Sequence, residues 1–203
     1  MRTTITLTVV ALAAVAAIAS AQPRPRAVQT MALTSSAWTD GGAMPVPHTQ
    51  RGRDVSPPLA WSGVPEGTQS FVLVVHDLDE IAPQTGDDRL HWLVWNIPAG
   101  ATSLPAGLPE GNPVEPPRVQ GQPPPPPGRR QISVTGPNYR GPAAPSTGPA
   151  HHYVFELFAL DTTIDVPAVG QSPAATRAAV MAAMAGHVRG KGALVGTDRR
   201  PAP

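Results

Sequence analysis

Hydrophobic residues gather in three short continuous runs along this chain. The runs are SFVLVVH at Ser70–His76, LHWLVWNI at Leu90–Ile97 and HYVFELFAL at His152–Leu160. Continuous apolar runs of strand length predict strands that are covered on both faces. Three such runs therefore predict a buried central sheet.

Two weaker runs and one helix complete the predicted elements. MALTS at Met31–Ser35 and ALVGT at Ala193–Thr197 predict further strands. The only convincing helix begins at Ser172–Pro173, which has the pattern of an N-cap followed by proline at the first helical position. Its predicted apolar face consists of Val180, Met181, Met184, His187 and Val188, and Gly190 and Gly192 are predicted to end it.

Composition narrows the class of protein. The 203 residues include 27 prolines and 19 glycines but only 4% aromatic residues, which disfavours a long-helix protein and favours a mainly β domain with irregular loops. The absence of cysteine excludes disulfide frameworks and Cys-based metal centres. A formal net charge of +1 gives no reason to expect nucleic-acid binding or a polybasic membrane patch.

The first 21 residues have the pattern of a signal peptide. Arg2 gives a short positive region, Ile5–Ile18 is apolar, and Ala19–Ala21 is a small-x-small cleavage site. The mature protein is therefore expected to be periplasmic or secreted, with an uncleaved N-terminal anchor as the alternative. Residues 22–33 are expected to be a flexible lead-in.

A proline-rich stretch interrupts the chain at about residues 105–130. Pro123–Pro127 are consecutive, and a central strand cannot tolerate so many missing N–H donors. The stretch is predicted to be a long loop with polyproline character. It is either a solvated insertion or a docking segment for a partner with an aromatic groove.

Carboxylates and imidazoles stand at the ends of the three strong runs. Asp77 and Asp79 follow the first run, and their side chains point the same way if the chain stays extended. His91 opens the second run. His151 and His152 open the third, and alternation sends them to opposite faces, so only one of the two can join Asp77 and His91. We therefore predict a small polar pocket at these strand ends.

Two chemistries suit such a pocket. Imidazole and carboxylate side chains can hold a metal ion. Alternatively, imidazole N–H groups and loop amides can bind the oxygens of a phosphate while the aspartates orient the histidines. Nucleophilic hydrolysis is less well supported, because the chain has no cysteine, no G-x-S-x-G motif and no phosphate-binding glycine loop.

Several ordered motifs occur together between about Thr34 and Thr197. They are DVSPPLAWSGVP at Asp54–Pro65, Ser70–Asp79, HWLVWNIP at His91–Pro98, GPNYRGPAAP at Gly136–Pro145, HHYVFELFALD at His151–Asp161, Gly186–Val188 and Leu194–Thr197. In this order the motifs resemble the phosphatidylethanolamine-binding protein family, in its bacterial Raf-kinase-inhibitor-like branch. The resemblance implies a single domain over residues 34–199, of β-sandwich type, with a large central sheet, a few peripheral helices and a C-terminal helix.

The resemblance also implies a small pocket for phosphate-type or phospholipid head groups, and a binding role without catalysis. Carried over residue by residue, the implied ligand-binding residues are Asp77, Asp79, His91, Gly141, Pro142, Pro145 and His151. No catalytic residue, metal or cofactor is implied.

The chain departs from the family pattern at three places. In the D-P-D-x-P motif, Leu78 replaces the first proline, and the second proline, Pro83, comes two positions late. His152 stands in place of an arginine, which removes one cation from the pocket rim. Asp198 stands where a tyrosine is common.

The sequence thus favours a non-enzymatic protein that binds a small anion such as phosphate or a phosphoethanolamine-type head group. A protein partner such as a protease and a homodimer are left open, and no nucleic-acid partner is expected. One alternative is a metal-dependent hydrolase that uses the cluster of Asp77, Asp79, His91 and His151. Another is an interaction module that acts through the proline-rich insertion.

Overall fold

The computed structural model describes residues 27–81, 83, 86–112, 127–168, 170 and 172–201. The predicted signal peptide and residues 113–126 of the proline-rich insertion lie outside the described residues. The strands are β1 Gln29–Thr30, β2 Ala32–Thr34, β3 Gly42–Ala43, β4 Leu59–Ser62, β5 Ser70–Ile81, β6 Asp88–Pro98, β7 Ser103–Leu104, β8 Arg130–Ile132, β9 His151–Leu160 and β10 Val188–Asp198. A 3-10 helix covers Val46–His48, and the helix α1 covers Pro173–Met184.

The large sheet has the three strong apolar runs in its middle. Its strand order is β1-β10-β9-β5-β6-β8, and β3 also pairs with β10. The neighbours β10, β9, β5 and β6 are antiparallel, whereas β1 and β3 run parallel to β10. The prediction of a mainly β domain with a large central sheet is confirmed.

Both faces of this sheet are covered, which explains the continuous apolar runs. On one face, Phe71, Leu73 and Val75 pack against the small sheet β2-β4-β7 and the loops beside it. On the other face, Val72 and Val74 belong to a second cluster that includes Val180 of α1. These five side chains of β5 are each at most 1% exposed.

The helix begins where the sequence predicted. The Ser172 hydroxyl accepts a hydrogen bond from the Ala175 amide at 3.2 Å, and Pro173 occupies the first helical position. Within the described residues, no helix is long and apolar enough to cross a membrane.

The predicted end of the helix was wrong, and its predicted apolar face was right only for Val180 and Met184, which are buried. The helix stops at Met184, so His187 and Val188 lie beyond it, and Met181 is 40% exposed. Gly190 and Gly192 are residues of β10. A side chain on either glycine would collide with Met31, so these glycines permit close strand packing rather than helix termination.

The flexible lead-in expected over residues 22–33 also needs correction. Gln29–Thr30 pair with Gly190–Lys191 of β10, so the chain is already ordered in strands from Gln29 onward. The strand predicted at Met31–Ser35 is present as β2. Of the insertion, residues 105–112 and 127–129 contain no strand.

One end of the large sheet carries the predicted chemistry. Asp77 is opposite both Arg89 of β6 and Tyr153 of β9, and Asp198 of β10 is opposite His151. Four neighbouring strands therefore bring polar side chains to the same end of the sheet.

Candidate functional site

A cavity of about 460 Å³ opens at this end of the sheet. It is lined by Gln50, Glu80, Arg89, His91, Ala143, Pro145, His151, Tyr153 and Arg200. The volume falls in the range of small-ligand pockets. Three of the sequence-predicted ligand-binding residues, His91, Pro145 and His151, lie in this lining.

Asp77 is buried beside the cavity and binds side chains that line it. Its side chain is 1% exposed and accepts a hydrogen bond from Nδ1 of His151 at 2.8 Å. Its other carboxylate oxygen accepts from the Asp79 amide at 2.9 Å. The Tyr153 hydroxyl bonds to the same carboxylate, and burial together with the Asp77 charge raises the pKa of this tyrosine. Asp77 thus fixes the positions of His151 and Tyr153.

His91 reaches the cavity through a β-bulge. Val75 pairs with Trp92 and His76 with Leu90, so His91 is the extra residue on β6. A bulge re-aims side chains, and here it places His91 edge-on against Tyr153, with ring centroids 5.0 Å apart. The Nδ1–H of His91 donates to the Arg140 carbonyl at 2.7 Å. Burial lowers the pKa of His91, so its ring is neutral at pH 7.

The loop Gly141–Pro145 is held by the protein itself. The Gly141 amide donates to Asp54 at 2.7 Å, and the Ala144 amide donates to Asp198 at 3.3 Å. The carbonyls of Gly141 and Pro142 accept from the side chain and backbone of Gln50. The backbone groups of Gly141 and Pro142 therefore hold the loop in place through hydrogen bonds within the protein.

Asp79 is not among the nine residues that line the cavity. The pairing of β5 with β9 ends at Asp77, so the extended geometry assumed for Asp77 and Asp79 does not continue. The Asp79 carboxylate instead accepts from the backbone and Nδ1 of His152, at 2.6 and 2.9 Å. The His152 side chain is 53% exposed, whereas that of His151 is 15% exposed, as alternation predicted.

The rim carries charges that the sequence reasoning missed. Arg89 pairs with Glu80 at 2.5 Å, and both side chains are 43% exposed. Arg200 also lines the cavity. Arg89 lies two residues before His91 on β6, and residues two apart on a strand lie on the same face. This spacing is the one local signal that could have identified Arg89 as a cavity residue.

A buried ion pair stands behind the loop. Asp198, 4% exposed, accepts two hydrogen bonds from Arg51, at 2.8 and 2.5 Å. The same carboxylate holds Ala144. Sequence reasoning noted Asp198 only as a departure from the family pattern, and no local pattern connects it with Arg51.

A metal-compatible group also exists at the cavity. One ligand atom each from Asp77, Glu80 and His91 lies within 4.8 Å of the others. This set differs from the predicted cluster, because Glu80 takes the place of Asp79 and His151 is engaged with Asp77.

The site is thus a polar cavity at one end of the central strands of a β-sandwich. The family model described as phosphatidylethanolamine-binding protein matches residues 34–199, and the chain belongs to this family. The UPF0098 protein of Methanothermobacter thermautotrophicus is 36% identical over 170 residues, which cover 84% of this chain and 99% of that protein.

A solved structure and a further relative are also similar to this chain. The crystal structure of YbcL from Escherichia coli, titled a new member of the mammalian PEBP family, has a TM-score of 0.64 and 29% identity, and the match covers 84% of this chain and 98% of that one. A Mycobacterium tuberculosis protein provisionally named lipoprotein LppC is 33% identical over 172 residues, covering 84% of this chain and 73% of that protein. The predicted family and fold are confirmed, and membership supports a binding protein in general.

Proposed function

We propose that this protein binds a small phosphate-type anion in the cavity beside His91 and His151, and that its natural ligand carries a phosphoethanolamine-type head group. The observation that carries the proposal is the convergence of His91, His151 and Tyr153 with Arg89 and Arg200 around one cavity of about 460 Å³. The name of the family supports the same ligand class.

The donors for an anion come from side chains. Loop amides were expected to contribute, but those of Gly141 and Ala144 are bonded to aspartates. Arg89 and Arg200 supply guanidinium groups, which make charge-assisted hydrogen bonds worth roughly 1.5–3 kcal/mol each. A phosphate oxygen is therefore expected to lie toward the arginine side of the cavity.

The same cavity offers a place for a cation. Glu80 lies on its wall with a half-exposed carboxylate. A zwitterionic phosphoethanolamine group places an ammonium close to its phosphate, so it complements both signs of charge. Phosphoethanolamine is therefore expected to bind more tightly than inorganic phosphate.

Isothermal titration of the exported protein with phosphate, phosphoethanolamine and ethanolamine tests this proposal. We expect Arg200→Ala to weaken phosphate binding about tenfold, which corresponds to 1.4 kcal/mol. His187→Ala is the control, because His187 pairs with Asp161 at the opposite end of β9. Absence of binding by the parent protein would refute the proposal, and release of phosphate from a phosphomonoester would favour a hydrolase instead.

The proposal includes a location outside the cytoplasm, in the periplasm or beyond it. The pattern of residues 1–21 and the lipoprotein name of a relative support this. Mass spectrometry of the exported protein should find an N-terminus at Gln22. A protein partner such as a protease is a further part of the proposal, and co-purification from the extracytoplasmic fraction tests it.

A further inference from the structure

His91 carries a buried ring nitrogen with nothing bound to it. The Arg140 carbonyl takes the hydrogen on Nδ1, so Nε2 of the neutral ring holds a lone pair. His91 is 2% exposed, and its Nε2 has no hydrogen-bond partner among the described residues. A buried acceptor without a partner is unfavourable, so this atom needs either a donor or a cation.

The immediate surroundings of this lone pair are acidic. Ligand atoms from His91, Asp77 and Glu80 lie within 4.8 Å of one another. Atoms that bind one small ion at 2.0–2.2 Å can be at most about 4.4 Å apart. Glu80 is the adjustable ligand of the three, because its side chain is 43% exposed, and it must leave its ion pair with Arg89 to bind the ion.

We propose that Nε2 of His91, together with the carboxylates of Asp77 and Glu80, binds a divalent transition-metal ion, Zn²⁺ or Mn²⁺. One imidazole with two carboxylates suits these ions, and three protein ligands leave positions open. The bond from Nδ1 to the Arg140 carbonyl is the outer contact that metal-binding histidines usually make. The hydrogen bond from His151 holds the Asp77 carboxylate in the same way.

A bound divalent ion also makes the cavity better suited to an anion. It neutralises two carboxylates that would otherwise repel phosphate. When Glu80 turns to the ion, it releases Arg89 from their ion pair. An open position on the ion can then accept a phosphate oxygen beside the freed guanidinium. This step, in which the metal bridges protein and phosphate, rests on the anion part of the proposed function and has Glu80 bind the ion instead of an ammonium. The metal site itself does not depend on the proposed function.

Titration with ZnCl₂ or MnCl₂ in phosphate-free buffer, after removal of metals with a chelator, tests the site directly. We expect one tight site in the parent protein and at least tenfold weaker binding in Glu80→Gln. Glu66→Gln is the matched control, because Glu66 is also exposed but lies away from this cavity, and it should bind as the parent does. Equal affinity of Glu80→Gln and the parent would overturn the proposal.

A measurement on the unmodified protein avoids any change to buried His91. Long-range ¹H–¹⁵N spectra resolve the two ring nitrogens of each histidine. Saturation with Zn²⁺ should shift the Nε2 resonance of His91 strongly and that of His187 little. An unmoved His91 Nε2 at saturating Zn²⁺ would also overturn the proposal.

Phosphate titration with and without Mn²⁺ separates the two proposals. Phosphate binding that strengthens at least tenfold with Mn²⁺ supports both of them. Metal binding with no phosphate binding leaves the metal site standing and refutes the anion function and the bridge. Equal phosphate binding in both conditions, with no tight metal site, refutes the metal proposal and leaves the anion function standing.

Discussion

His151 donates its Nδ1 hydrogen to the Asp77 carboxylate at 2.8 Å, so this aspartate orients His151 rather than His91. The sequence left either histidine open as the partner of Asp77. His91 is oriented instead by the carbonyl of Arg140. The two imidazoles of the cavity therefore have different environments, one with a carboxylate partner and one with a neutral backbone partner.

Exchange of Asp77 and Asp79 for asparagine should separate the two carboxylates. Asp77→Asn weakens the acceptor for His151 and Tyr153, so we expect phosphate to bind about tenfold more weakly. Asp79→Asn alters only the contact with His152 and should bind phosphate as the parent does. Titration calorimetry on both variants is the measurement. Equal losses in the two variants would mean that Asp79 also belongs to the site.

Periodicity predicted part of this arrangement. The period of two along β9 placed His151 and His152 on opposite faces, and the structure agrees. The same rule failed after Asp77, because it holds only while the strand stays paired. The bulge that turns His91 into the cavity depends on the register between β5 and β6, which no single strand encodes.

Long-range partners set the rest of the site and could not be predicted. Arg51 and Asp198 are 147 residues apart in sequence, and neither belongs to a periodic pattern. Gly141 was predicted from the family resemblance as a ligand-binding residue. The structure gives it a packing contact, because a Cβ there would lie 2.4 Å from the His48 carbonyl oxygen.

That contact predicts a stability difference between two glycines. Gly141→Ala places a methyl group against the His48 backbone, so we expect a loss of about 1–3 kcal/mol in the free energy of unfolding. Gly100→Ala is the control, since nothing lies within 4 Å of a Cβ at Gly100. Chemical denaturation of both variants measures the difference. An unchanged Gly141→Ala protein would show that the loop has room to move away from His48.

A buried charge network on the helix-covered side of the sheet should make stability depend on pH. His76 contacts Asp88 on one side and Glu156 on the other, with 3.3 Å between its Nε2 and the Glu156 carboxylate. Burial lowers the pKa of His76, but the bonds to these two carboxylates outweigh it, so the pKa is raised above 6.5. Arg177 of α1 binds Asp88 at 2.7 Å, so the network joins the helix to the sheet.

A raised pKa in the folded state means that protonated His76 stabilises the fold. This contribution is fully present below the unfolded value of 6.5 and is lost as the pH rises through the higher folded pKa. The free energy of unfolding of the parent should therefore exceed that of His76→Gln by more at about pH 6 than at about pH 9. Urea denaturation at both pH values is the measurement, and equal differences would contradict the prediction.

The stability contributed by Glu156 in the same network should depend on pH in the opposite direction. Bonds to His76 and Lys191 lower the pKa of Glu156 from 4.5 to about 2. The stability from this carboxylate is present above pH 4.5 and is lost as the pH falls toward the folded pKa of about 2. Glu156→Gln should therefore differ from the parent less at about pH 2 than at about pH 6. A difference that does not change between these pH values would show that Glu156 is not paired in solution.

Removal of Arg51 should expose how the loop beside the cavity is held. Arg51→Met leaves the Asp198 carboxylate 4% exposed and without its cation, so we expect a loss of roughly 2–4 kcal/mol in the free energy of unfolding. Arg53→Met is the matched control, because Arg53 is exposed and should tolerate the change. Since Asp198 also binds the Ala144 amide, phosphate affinity should fall several-fold with Arg51→Met.

The double variant Arg51→Met/Asp198→Asn should recover part of the lost stability, because the buried charge is gone. A double variant no more stable than Arg51→Met would place the effect in the packing of the arginine rather than in the ion pair.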